Sequence, residues 1–386
     1  MKPTNSSKTN RQYYIDWLRI ILIFSVFLYH IGMYFNSWGW HVKSNETVTW
    51  LNKLMWFLHL WRMPLLFLVS GVGTYYALGH RTVKTYLKER FTRLLLPFVI
   101  GVFTLVPVQV YLEKIDSYSS LGHFYLSMFN GVYPEGNFSW HHLWFILYLF
   151  LISLLISPFL NYLRSNEFVA IKNRFIKVLS KPMGLNIILI FLVLSRAILG
   201  EYFPEETHAL YDDWAYFVYY ILFFLSGFMF FTDSTIIKAL TQQRRLYLAE
   251  TILATVFLFS ISTWFRDEAL KDFLYGLTGI IIGWSCSITA VGYSKRYLNS
   301  DNTWRSIFNE GIYPFYLLHQ PVILLFGYLI KTVNMPVIIK MIVLVVLSFT
   351  AITLLYWYII RPINFIRVAF GMKRKTKKRL EHIFTT

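Results

Sequence analysis

The first apolar stretch of the chain, residues 14–35, carries three groups able to do chemistry: Asp16, Arg19 and His30. Ionisable side chains inside a membrane-spanning helix cost several kcal/mol unless they are paired or line a wet cavity, so each needs a partner or a function. At about 100° per residue, the step from Arg19 to His30 makes roughly three turns plus 20°, so both point the same way, about 16 Å apart along the axis. One helix face thus carries a fixed cation near its start and a titratable base around half of a ~30 Å hydrocarbon layer deeper. The structural alternative is that Arg19 snorkels to the headgroups and His30 is a packing contact between helices.

Other candidates follow along the chain. Arg90 and Arg93, in HRTVKTYLKERFTR, share a face at the expected start of the third helix. Two guanidiniums at a helix N-terminus make a phosphate receptor through bidentate donors and the helix dipole, or else they belong to an ordinary cation-rich loop. In WHHLWFILYLF, His141 and His142 stand where a helix enters the membrane. Adjacent histidines point about 100° apart, so they do not form a paired metal site by themselves, and no metal is expected. The loop 201–214 holds Glu201, Glu205, Glu206, Asp212 and Asp213 with no Lys or Arg, and reads as solvated or as an attractor of cations. In NEGIYPFYLLHQPVILLFGYL, Tyr316 and His319 share a face, with Gln320 beside them and Pro314 and Pro321 breaking the helix. A polar face next to a broken helix is how membrane proteins line cavities. WRMPLLFLVSGVGTYY adds a kink at Pro64, and Ser70, Gly71 and Gly73 allow close helix approach.

These residues must be positioned by a membrane bundle. The 386 residues are 56% hydrophobic and only 15% charged, which excludes an ordinary soluble domain. Ten apolar runs, roughly 14–36, 54–79, 91–112, 142–163, 186–200, 215–232, 246–264, 273–293, 311–330 and 336–360, are each expected to be a span. The fifth is the weakest, being short and interrupted by Arg196. Of the 37 Lys and Arg, 27 fall in the segments on the side of the N-terminus and six in the alternate loops. That asymmetry puts both termini in the cytoplasm, and it accounts for the +17 net charge without nucleic acid. The expected fold is therefore all-α: a polytopic bundle of about ten transmembrane helices over residues 1–360, then a basic cytoplasmic tail, 361–386, on anionic headgroups or mobile. The sole cysteine, Cys286, lies in an apolar run, so neither a disulfide framework nor a thiolate metal site is expected. Trp38, Trp40, Trp140, Trp214 and Trp304 near span ends read as interfacial belts.

Arg19-x10-His30, PLLFLVSG (64–71), Arg90-x-x-Arg93, HLWFILYL (142–149) and YPFYLLHQ (313–320), in this order, resemble the integral-membrane acyltransferase-3 family over residues 11–330. SWGWHVKS (37–44) is similar to the periplasmic-glucan succinyltransferases within it. The resemblance implies O-acyl transfer from an acyl-CoA, or another acyl donor, to a carbohydrate hydroxyl in a bacterial inner membrane, with no permanently bound cofactor. It makes His30 the catalytic base and Arg19 its partner in the motif. Arg90 and Arg93 become the donor-binding pair, and Ser70, His142, Trp144, Tyr316 and His319 candidate substrate contacts. A neutral imidazole can take the proton of a sugar hydroxyl as it attacks a thioester. Arg19 lies too far along the axis to touch His30, so it is assigned to the donor or to packing, while Asp16 can pair with an arginine of an inner loop. No residue stands out as the oxyanion donor. A transporter or flippase would also use intramembrane Arg and His beside broken helices, but it predicts an internal repeat. A pH sensor built on His30 would need no donor-binding arginines.

Overall fold

In the computed structural model, which describes residues 12–79 and 81–375, the chain is a helical bundle. Among those residues the β structure is one isolated bridge, Val132 to Phe138. Apolar runs of this length satisfy every backbone group internally only as helices, and the passes follow the expected runs closely. They are α1 (Tyr13–Phe35), α2 (Trp50–Leu78), α3 (Val83–Glu113), α4 (His141–Phe159), α5 (Ile187–Gly200), α6 (Trp214–Phe230), α7 (Arg244–Trp264), α8 (Glu268–Tyr297), α9 (Thr303–Ile330) and α10 (Val337–Ile360). Eight of the ten are long enough to cross alone. The pass containing α5 is bent by 117° from the preceding helix, and α6 is bent by 108° from the helix that follows it. The end of the bundle where α1 begins is called the near end, and the opposite one the far end.

α3 departs from expectation. It starts at Val83, where the Thr82 hydroxyl caps it by accepting from the Thr85 amide. Arg90 and Arg93 therefore lie two turns inside the helix rather than at its N-terminus, and the helix dipole adds nothing to their pull on an anion. Residues Phe91–Leu95 wind as a π turn, a device common at functional sites. Pro97 and Pro107 then stand in the first turn of each of the two helical pieces that complete the pass, where a missing N–H is tolerated.

α2 and α9 run through the interior, while α7 and α10 turn Leu253, Val256, Ile342 and Val346 outward to lipid. Lipid gives no hydrophobic drive for helix association, so close packing must supply it. Gly71 lies against the Phe224 carbonyl of α6, where an added Cβ would come within 1.9 Å, and Gly227 meets Leu68 in the same way. At the near end, buried Arg305 of α9 pairs with Asp16 at 2.6 Å, the ion pair expected for Asp16, and with Asp301 at 2.7 Å.

The expected free tail is corrected in its first part. Asn364–Ala369 is helical, Arg367 is buried against Glu310 at 3.2 Å, and Lys373 reaches the near-end cavity. Residues 376–386, like the cations before residue 12, lie outside the described residues.

Candidate active site

α9 carries two prolines, and the second shapes the site. Pro321 has no N–H to give to the Leu317 carbonyl four residues back. His142 fills that place, its Nε2 donating to the Leu317 oxygen at 3.1 Å. Tyr316 returns the contact by donating its hydroxyl to the His142 carbonyl. The start of α4 is thus locked to the break in α9, and the His142 ring stands edge-on to His319, with centroids 5.2 Å apart.

His319 Nδ1 meets the Tyr316 carbonyl, which can only accept, so Nδ1 carries the proton and Nε2 the lone pair. His30 Nδ1 lies 2.8 Å from that Nε2 and must be the donor. His30 Nε2 is left with a free lone pair. Two neutral imidazoles thus form a relay anchored to backbone, and His30 is fixed in one tautomer, the condition a general base would require. Trp40 lies over His30 at 5.8 Å and 13°, so the ring is held between Trp40 and His319.

His30 lines a far-end cavity of about 340 Å³ with Trp40, Arg62, His142, Trp144 and Tyr316. Arg62 is 5% exposed, its guanidinium sits 3.4 Å over the Tyr29 ring, and its Nε and Nη1 have no hydrogen-bond partner among the described residues. A buried cation with donors unspent is costly, and it is suited to charge that appears only during a reaction. Across the cavity, Glu206 is held by His59 at 2.9 Å, by His208 at 3.0 Å and by the Tyr220 hydroxyl. Burial alone would raise this carboxyl, but the two histidines outweigh it and hold Glu206 well below the usual carboxylate range. The reading of 201–214 as a solvated loop holds for Glu201 and Glu205, which are exposed, and is corrected for Glu206 and Asp213. Asp213 is likewise buried, accepting from the Tyr148 hydroxyl at 2.6 Å, and burial pushes its carboxyl up to about 6.

A second cavity of about 500 Å³ opens toward the near end, lined by Arg19, Ser70, Arg81, Arg90, Arg93 and Lys373 among others. Arg90 donates to the Thr74 hydroxyl at 3.1 Å and stacks on Tyr86. Arg19, 3.7 Å from Asp16, stands in this cavity and not beside His30. Ser70 is also here, with Tyr316 but apart from His142 and Trp144. Tyr316 is common to the walls of both cavities.

The expected residues are therefore redistributed. His30, His142, Trp144 and Tyr316 meet at the far cavity, Arg19, Ser70, Arg90 and Arg93 at the near one, and His319 stands behind His30 as its partner rather than as a substrate contact. Trp40 and Trp140 belong to this region and not to an interfacial belt: Trp140 donates to the His208 carbonyl at 2.8 Å. Arg62 went unnoticed in the sequence. Its signal was a cation inside a span, two residues from Pro64, with no topological use.

A polytopic helical bundle with a paired histidine relay and two cavities that each present charged side chains is the frame of a membrane enzyme. The chain belongs to the acyltransferase-3 family: the profile of that family, described as an acyltransferase domain, matches residues 12–361. It is similar to glucans biosynthesis protein C of Escherichia coli strain K12, at 25% identity over 348 residues, 84% of this chain and 85% of the relative. The proteins of that name in strains O9:H4 (HS) and SMS-3-5 match to the same extent. No solved structure matches the chain. The protein is a multi-pass membrane acyltransferase.

Proposed function

We propose that the protein transfers an acyl group from acyl-CoA, held at the near end, to a hydroxyl of a glucan-like acceptor in the far cavity. The observation that carries this reading is the relay from the Tyr316 carbonyl through His319 to His30, which leaves one lone pair on a cavity wall. His30 Nε2 takes the hydroxyl proton as the oxygen attacks the thioester carbonyl. The tetrahedral oxyanion forms next to the unspent donors of Arg62. It collapses by expelling the CoA thiolate, which recovers the proton from the His30 imidazolium, so the transfer needs no covalent acyl-enzyme. The purified protein should bind acyl-CoA and hydrolyse it slowly without acceptor; failure to bind or consume any acyl-CoA would remove this reading.

The near end is cytoplasmic in this proposal, in a bacterial inner membrane, supported by the 27-to-6 distribution of Lys and Arg. Single cysteines in 37–53 and 164–185 should label from opposite faces, the first from outside; labelling from the same face would refute the topology. CoA phosphates rest on Arg90 and Arg93, and the pantetheine arm runs roughly 15–20 Å along the axis to His30. The arm passes Tyr316, which lines both cavities. Each charge-assisted bond is worth about 1.5–3 kcal/mol, so replacing both Arg90 and Arg93 by Ala should weaken CoA binding at least ~100-fold. Arg93→Lys keeps the charge but loses the fork and should fall between the two. Unchanged affinity in the double variant, measured by titration calorimetry, would return the pair to an ordinary loop.

A further inference from the structure

We infer that His41, Glu113 and His141 form a divalent-cation site, of the kind zinc takes, on the far rim of the cavity. The three come from separate elements: the loop after α1, the last residue of α3 and the first residue of α4. Each offers one ligand atom, and these atoms lie within 4.8 Å of one another. A tetrahedral ion with bonds near 2.05 Å needs its ligands about 3.3 Å apart, within reach of small side-chain rotations. One edge is already shorter than that, since His41 Nδ1 is 2.7 Å from Glu113 Oε2.

The pair alone would be an ordinary ion pair. What makes it a site is His141. Its Nδ1 lies 2.8 Å from the Ser139 hydroxyl, while its Nε2 is buried and has no partner among the described residues. With Nδ1–H donating to Ser139, Nε2 holds a lone pair, and the His141 and His41 rings stack with their centroids 4.3 Å apart. A ligating histidine commonly has its other nitrogen occupied by such an outer partner. Glu113 is prepared in the same way, for the Tyr133 hydroxyl donates to its Oε1 at 2.9 Å and leaves Oε2 to ligate. The nearest opposing charge is Lys114, whose ammonium is committed to the Pro134 and Gly136 carbonyls at 3.2 and 2.6 Å.

Two imidazoles and a carboxylate suit zinc and leave a fourth position for water or a substrate oxygen. The bound ion would clasp the loop 36–49 to the start of α4. It would hold Trp40, the neighbour of His41, over the His30 ring. The inference stands apart from acyl transfer and does not depend on the donor.

The test uses the full-length protein in detergent, loaded with zinc chloride, freed of excess by gel filtration and assayed for metal by mass spectrometry, with Co²⁺ absorption as a report on geometry. One zinc per chain and a tetrahedral Co²⁺ spectrum are expected, both lost in His141→Ala and Glu113→Gln. Ser139→Ala, which removes only the outer partner, should weaken zinc binding about 10–100-fold and keeps the test open if the first variants fail to fold. His123→Ala, at an exposed histidine elsewhere on the far face, should change nothing. Wild-type protein without zinc, or zinc that persists in His141→Ala or leaves with His123→Ala, would overturn the inference.

Discussion

His30→Ala should yield a folded protein that binds acyl-CoA as before and transfers the acyl group about 10²–10⁴-fold more slowly, the range that a positioned general base supplies. The effect is expected at the upper end because the imidazoles beside His30 are tied to other groups: His319 accepts from His30 through Nε2 and meets the Tyr316 carbonyl through Nδ1, and the Nε2 of His142 donates to the Leu317 carbonyl. The change should appear in kcat with little change in KM for the donor, whose phosphates are proposed to rest at the opposite end. His319→Ala should move activity the same way by a smaller factor, since His30 keeps its basic atom but loses the partner that fixes its tautomer. Activity of His30→Ala within tenfold of wild type, under about 1.4 kcal/mol, would show that His30 is not the base.

Arg62 carries the second large expectation. Removing one preorganised oxyanion donor costs about 10²–10³ in kcat, so Arg62→Gln should fall in that range while CoA affinity is retained. Arg62→Lys should recover little, because an ammonium cannot lie flat on Tyr29 and still present two donors to one point. Stability should respond in the opposite sense. Arg62 is buried with Nε and Nη1 unpaired, so Arg62→Gln should unfold at a temperature no lower than wild type. A variant of ordinary activity and reduced stability would make Arg62 a structural residue.

The bundle was legible because membrane solvent makes apolar length decisive. All ten expected runs contain a helix, and even the weak fifth run became α5, the straight part of a bent pass. The start of α3 was not legible, since HRTVKTYLKER is polar enough to read as loop. Thr82 as a cap was its signal. His30 and Tyr316 could be named from their places on amphipathic faces, but their partnership through His319 spans 289 residues and leaves no local pattern. The acidic loop 201–214 misled for a related reason. Carboxylates without neighbouring cations look solvated, whereas Glu206 is held by contacts with His59, far away in sequence, and with His208. Adjacent His141 and His142 do face different ways, although His141 stands at φ 39° and so outside helical geometry. The partners that decide their roles, His41 for one and Leu317 for the other, come from distant segments.

The central claim is that an acyl group passes from a donor at the near end to an acceptor at the far end. The most direct measurement places the purified protein, oriented, in sealed vesicles, with isotope-labelled acyl-CoA on one side and a glucan on the other, and reads ester-linked label on the glucan by mass spectrometry. Labelled ester is expected only when acyl-CoA faces the near end and glucan the far end, and it should vanish with His30→Ala. Label that appears with the two sides exchanged, or persists in His30→Ala, would contradict the account.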